Sequence, residues 1–181
     1  MSLPNAITIG RLLSVPFAVW LILDDRLLPA FWLFIVAGLS DAVDGYIAKH
    51  FDAETVLGKY LDPLADKALL VSVFISLGSG GYLESWLVIM VVFRDALIIC
   101  GALLYHTLTQ HLAMEPLRVS KINTVAQIIL VAQVLGQHGL GLDTTWITPI
   151  LVYVVAVTTV ASGAAYLLKW ARRAATFEEG E

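Results

Sequence analysis

Asp41, Asp44, Asp62 and Asp66 fall within one short stretch of a chain whose remaining sequence is suited to lipid. A carboxylate near the middle of a bilayer costs roughly 2.5–3.5 kcal/mol on insertion scales. Four without counter-charge would cost on the order of 10 kcal/mol, as much as the whole stability of a typical domain. Two divalent cations match four carboxylates in charge, so the stretch points to a buried two-metal site and to an enzyme. Asp41 and Asp44 are three residues apart, and Asp62 and Asp66 four apart, so each pair projects to one face of a helix. Packing two such helices side by side brings the four carboxylates together. An all-oxygen donor set favours Mg²⁺, Mn²⁺ or Ca²⁺ over zinc. Gly45 and Gly58 lack a Cβ and allow close backbone approach to a phosphate, and metals bridging phosphate oxygens stabilise transfer at phosphorus.

Composition sets the surroundings. The chain is 59% hydrophobic and 14% charged, against about 45–50% and 25% in soluble domains. Its 181 residues, at about 20 per span, have room for roughly six transmembrane helices and no soluble domain. The expected fold is therefore an all-α integral membrane protein, with six transmembrane helices and a short N-terminal interfacial helix over Asn5–Arg11. The spans are expected near Leu12–Leu23, Pro29–Ala48, Gly58–Leu77, Ser85–Tyr105, Ser120–Leu135 and Trp146–Lys169, with a loop over Gln137–Thr145. Residues 1–175 read as a single membrane domain and 176–181 as a polar tail. The lone Cys100 excludes an intramolecular disulfide.

Charge gives the orientation. Arg11, Lys49, Lys59, Lys67, Arg118, Lys121, Lys169, Arg172 and Arg173 fall on one side of the six-span arrangement, Arg26 falls opposite and Arg94 lies inside a span. Both termini are then cytoplasmic, and the four aspartates sit near the cytoplasmic ends of spans two and three. Neither a convincing cleavage site nor a presequence precedes the first apolar run. The expected location is a bacterial plasma (inner) membrane, with the mitochondrial inner membrane as the alternative. No nucleic-acid partner is expected.

The stretch from Asp41 to Asp66 resembles the signature of the CDP-alcohol phosphatidyltransferases, D-x-x-D-G-x-x-A-R-x8-G-x3-D-x3-D, and departs from it only at Lys49, where the pattern has Arg. Lysine keeps the charge and loses the bidentate fork. The resemblance implies two Mg²⁺ or Mn²⁺ ions held by Asp41, Asp44, Asp62 and Asp66, with Asp66 as general base for the acceptor hydroxyl. It implies that Gly45, Ala48, Lys49 and Gly58 line the CDP-donor pocket. Asn5, Thr8 and Arg11 look like the family's N-terminal N-x-x-T-x-x-R element, also on the donor side. A homodimer with lateral openings for lipid substrates is implied as well.

Three further stretches decide the expected acceptor: Arg94-Asp95, Ser120–Gln127 and Thr158–Ser162 resemble the mitochondrial-type cardiolipin synthases. The related phosphatidylglycerophosphate synthases tend to carry Arg-Glu at the first place and an additional Lys where Asn123 stands. The implied reaction transfers a phosphatidyl group from CDP-diacylglycerol to phosphatidylglycerol, giving cardiolipin and CMP, with Arg94, Arg118, Lys121 and Asn123 on the acceptor. The alternative acceptor is glycerol 3-phosphate, whose phosphomonoester carries more negative charge. A cation-coupled transporter is the non-enzyme alternative. It would be marked by inverted repeats and interrupted helices, and the two halves show no such repeat.

Overall fold

The computed structural model of the protein describes the backbone of residues 3–50, 56–109 and 117–178, and the side chains of 9–40, 67–101 and 117–170. Six helices follow one another: α1 (Leu3–Leu23), α2 (Leu27–His50), α3 (Val56–Ser79), α4 (Ser85–Thr109), α5 (Arg118–Leu140) and α6 (Ile147–Glu178). No strand occurs among the described residues. Two packing units are distinct, one of Met1–Ser85 with Val131–Thr145 and one of Trp86–Leu130 with Trp146–Glu181.

In the first unit α1 packs against both α2 and α3. Apart from Arg11 and Ser76 its buried residues are apolar, among them Ala18, Ile22, Ala30, Phe34, Val73, Phe74 and Leu77. Two sharp turns hold the helix ends. At the end of α1, Arg26 N–H donates to the Leu21 carbonyl at 2.8 Å and Asp25 N–H to that of Ile22 at 3.2 Å. The same pattern closes α3, with Tyr82 N–H on Leu77 at 2.9 Å and Gly81 N–H on Gly78 at 3.1 Å. Such paired bonds satisfy the last carbonyls of a helix and need a left-handed residue at the turn. Gly81 takes it without strain at φ +75, whereas Asp25 takes it at φ 56 as a non-glycine residue. The Asp25 carboxylate accepts a 2.8 Å hydrogen bond from the Tyr82 hydroxyl, which ties the first turn to the second. The Tyr82 ring stands edge-on to His138 with centroids 4.9 Å apart.

Three boundaries differ from the sequence expectation. The N-terminal interfacial helix is not a separate element, because Leu3–Leu23 is one continuous helix. Nothing in Asn5–Arg11 breaks the ladder, and Pro16, the residue best able to do so, is itself accommodated inside α1. Helix α5 runs to Leu140, so Gln137–Leu140 are helical instead of loop. Tertiary packing outweighs their polar, glycine-containing composition. A Cβ on Gly139 would lie 2.9 Å from the backbone of Leu27 and Leu28, and one on Gly136 3.3 Å from the Phe31 ring. These glycines let α5 approach α2 closely, and the helix stops where Gly141 turns left-handed at φ 68. Helix α6 likewise continues to Glu178, past the end expected for the sixth span at Lys169.

In the second unit α6 is inside out relative to a water-soluble helix. Its exposed positions include Ile150, Tyr153, Val157, Val160, Leu167 and Leu168, whereas Thr159 and Ser162 are buried. An apolar outer face with hydroxyls within fits a lipid surrounding. Among the described residues, Arg118–Leu140 and Ile147–Trp170 are long and apolar enough to cross a membrane, and Ile9–Leu23, Leu27–Ser40 and Lys67–Ser79 are shorter apolar helices.

The hydrogen bond to Asp25, followed by burial and by the carboxylate's charge, raises the Tyr82 phenol above its usual 10.0. A group whose pKa is raised by folding stabilises the folded state below its unfolded pKa and loses that contribution as pH climbs through the folded value. The melting-temperature difference between wild type and Tyr82→Phe should therefore be constant below about pH 10 and shrink above it. Paired thermal melts across that range, in detergent, check it. A difference that grows with pH would contradict the assigned bond.

Candidate functional site

The first part of the site is carried by α2 and α3. Asp41 and Asp44 lie on α2 and Asp62 and Asp66 on α3. At about 100° per residue, separations of three and four residues leave each pair on one helical face. Both helices pack against α1 within one unit. The side chains of the four aspartates lie outside the described residues, as do those of Asn5, Thr8, Ala48 and Lys49 and the surroundings of Gly45 and Gly58. Among the described residues no group of three or more His, Cys, Asp or Glu could hold a metal. The metal assignment therefore rests on helical register and on the all-carboxylate donor set, which fits hard divalent cations.

Next to this stretch is a cleft of about 440 Å³ between α1 and α2, lined by Gly10, Arg11, Ser14, Trp32, Leu33, Val36, Ala37 and Ser40. Arg11 is 5% exposed, although it carries a full charge. Ser14 Oγ donates to the Arg11 carbonyl at 2.6 Å and Ser40 Oγ to that of Val36 at 2.7 Å. Both hydroxyls back-bond to their own helices. Ser40 directly precedes Asp41, so the cleft ends at the turn of α2 where the aspartates begin. Sequence reasoning placed Arg11 on the donor side and missed Ser14 and Ser40, whose roles depend on the facing of α1 and α2.

The second unit holds a polar cluster at depth. Arg94 and Asp95 are each 3% exposed and pair at 2.5 Å. The rest of the guanidinium is engaged as well. Its Nε donates to Ser162 Oγ at 3.1 Å and Nη2 to Ser120 Oγ at 2.7 Å, with a further short contact from Nη2 to Ser162. One turn along α5, the fully buried Asn123 accepts at Oδ1 from Thr158 Oγ1 at 2.8 Å and Thr159 Oγ1 at 2.9 Å. Where α5 begins, Leu117 N–H donates to the Tyr166 hydroxyl at 3.4 Å. Close packing of α4 on α6 is set by Gly101, where the Trp170 ring fills the space a Cβ would take.

Of the residues expected on the acceptor, the structure brings Arg94 and Asn123 into this cluster, while Arg118 and Lys121 are exposed on α5. The hydroxyl partners Ser120, Thr158, Thr159 and Ser162 fall in the stretches singled out by sequence, but their convergence on two residues could not be read from spacing within either stretch.

Residues 1–165 match the family of CDP-alcohol phosphatidyltransferases. The chain belongs to that family. It is 36% identical to the chloroplastic CDP-diacylglycerol–glycerol-3-phosphate 3-phosphatidyltransferase 1 of Oryza sativa, over 94% of this chain and 57% of that protein. Identity is 33% to the cardiolipin synthase (CMP-forming) of Rattus norvegicus, over 91% of this chain and 60% of the relative. The CDP-diacylglycerol–glycerol-3-phosphate 3-phosphatidyltransferase of Bacillus subtilis is 31% identical, over 93% of this chain and 94% of its own length. The chain thus spans about three fifths of the rice and rat proteins and nearly all of the bacterial one. Relatives of both acceptor types match at similar identity, so overall likeness does not separate the acceptors.

A buried ion pair contributes little net stability compared with apolar packing, yet breaking one costs about 3–5 kcal/mol because a lone buried charge remains. Arg94→Met should therefore lower the melting temperature strongly, and Arg94→Met combined with Asp95→Asn should recover much of the loss. Unfolding of the four variants of that cycle in detergent measures the coupling. Additive effects would show that the pair is not a unit.

Proposed function

We propose that the protein transfers a phosphatidyl group from CDP-diacylglycerol to phosphatidylglycerol, forming cardiolipin and releasing CMP. The acceptor's terminal hydroxyl oxygen bonds to the β-phosphorus in line, the bond from that phosphorus to the bridging oxygen breaks, and CMP leaves with the electron pair. Asp66 takes the hydroxyl proton. Asp41, Asp44, Asp62 and Asp66 would hold two Mg²⁺ or Mn²⁺ ions, which when bound supply positive charge to the diphosphate and to the departing CMP. Gly45, Ala48, Lys49 and Gly58, with Asn5, Thr8 and Arg11, are assigned to the CDP donor. The cleft beside Arg11 supports that side of the assignment, since a buried cation next to apolar walls suits a lipid phosphate.

The observation that carries the choice of acceptor is the charge of the α4–α6 cluster. Arg94 is matched by Asp95 and held by two serines, and the next turn of α5 presents a neutral amide, Asn123. That leaves Arg118 and Lys121, both exposed, for the acceptor phosphate. The phosphatidylglycerophosphate synthases tend to carry a further Lys where Asn123 stands, and one cation fewer suits a diester of one negative charge better than a monoester of nearly two. On this reading Arg94 is a positioning residue that acts through Ser120 and Ser162. A second reading, with glycerol 3-phosphate as acceptor, is favoured by the names of the rice and Bacillus relatives. The rest of the proposal is a single membrane domain of six spans over residues 1–175, cytoplasmic termini, a homodimer and a bacterial plasma membrane.

Purified protein given CDP-diacylglycerol, Mg²⁺ and each acceptor in turn should release CMP faster with phosphatidylglycerol at equal saturation. Chelation should abolish release, and Asp66→Asn should lower turnover by at least about 10². Asn123→Lys should raise whatever activity glycerol 3-phosphate supports. Faster formation of phosphatidylglycerophosphate by the wild type would transfer the assignment to the second reading.

A further inference from the structure

Within the second unit two amide side chains on one face of α5, Asn123 and Gln127, are fully buried with hydrogen-bonding capacity left over. Asn123 Nδ2 has no partner, and neither has Nε2 or Oε1 of Gln127. Both residues are 0% exposed. Leaving one buried polar group unmatched costs about 1–3 kcal/mol, and these amides carry three such atoms one helical turn apart. Thr158 and Thr159 occupy one end of the Asn123 amide, and turning that amide over would only leave Oδ1 unmatched in place of Nδ2.

The surroundings define what could meet these atoms. Helix α6 runs antiparallel to α5, since Ser120 and Ser162 share Arg94 while Asn123, further along α5, meets Thr158 and Thr159, earlier on α6. Continuing that register to Gln127 reaches Val155, apolar and 0% exposed. The charge of Arg94 is already matched by Asp95. The spare capacity is therefore neutral, with donors from both amides and one acceptor from Gln127. An anion would find no charge there, whereas a hydroxyl can both donate to Oε1 and accept from Nδ2 or Nε2.

We infer that Asn123 and Gln127 together recognise the non-reacting middle hydroxyl of the acceptor's glycerol, with Gln127 as a specificity-determining residue. The inference rests on the transfer reading above but not on which acceptor is correct, because phosphatidylglycerol and glycerol 3-phosphate share this hydroxyl. Since both amides are shielded from solvent, engagement requires α5 and α6 to part locally.

The test compares phosphatidylglycerol with phosphatidylpropanediol, whose headgroup keeps the reacting terminal hydroxyl and lacks the middle one. Glycerol 3-phosphate and propanediol phosphate form a parallel soluble pair, so that the pair turned over identifies the source of the glycerol. A site built around a hydroxyl rejects an analogue lacking it, so the wild type should show an acceptor KM at least about tenfold higher for the propanediol compound. Gln127→Met, apolar and similar in shape, should bring the two values within about twofold of each other and leave the KM for CDP-diacylglycerol unchanged. Thermal melts in mixed micelles give a readout without turnover, in which the glycerol compound should raise the wild-type melting temperature more than its analogue. Should the methionine variant fail to fold, Gln127→Asn keeps an amide one methylene short and should discriminate to an intermediate degree. Equal treatment of both compounds by the wild type, in melting and in transfer, overturns the inference. So does a methionine variant that melts lower yet keeps full discrimination, since the amide would then be a packing group. Discrimination in melting without transfer to any acceptor would uphold hydroxyl recognition and sink the transfer reading.

Discussion

Taking a charge out of water costs several kcal/mol even after the surroundings relax, and a chain that is 59% hydrophobic offers little to offset it. Each charged or polar group placed inside must be matched locally, and much of the second unit reads as the result. Arg94 is met by a carboxylate from the adjacent residue and by serines from α5 and α6. Those bonds in turn fix which faces of α5 and α6 point inward. With hydroxyls turned in, the large aliphatic side chains of α6 are turned out. One buried cation thus connects side-chain chemistry, helix facing and the lipid-compatible surface.

On the proposed reading the first unit meets the problem with a different donor set. Apart from Arg11 and Ser76 its described core is apolar, and a short turn joins α1 to α2. Asp25 adopts a left-handed backbone that favours glycine, and the Tyr82 hydroxyl holds its carboxylate. At the ends of α2 and α3 away from these turns lie the aspartates, whose four charges have a natural counterpart in two divalent ions. Asp41 follows directly on the cleft that holds Arg11, so a cation and the first carboxylate of the signature lie on neighbouring parts of the same unit.

Much of this was legible in the sequence because it is local. The spacing of Asp41, Asp44, Asp62 and Asp66 marks a helical face whatever surrounds it, and the apolar runs predict helices that the structure contains. Legibility failed where distant residues decide. Gln137–Leu140 reads as loop by composition, yet the close approach of Gly139 to Leu27 keeps it helical. The run Asn5–Arg11 reads as a separate element, yet no breaker divides it from the rest of α1. Arg94 could be recognised as a buried charge but not as one already matched, because its serine partners come from positions 120 and 162. Gln127 stood out only as the last residue of the Ser120–Gln127 stretch and not by itself, since an amide in an apolar helix declares its meaning only when its neighbours are known.

The central claim is that four aspartates on α2 and α3 act as one two-metal site, and metal binding tests it more directly than turnover. Purified full-length protein, stripped of metal and titrated with Mn²⁺, should retain two ions per chain and give the electron paramagnetic resonance spectrum of a spin-coupled pair. Asp44→Asn should lose that coupling while the protein stays folded. Retention of no more Mn²⁺ than a variant with all four aspartates changed to asparagine would contradict the account.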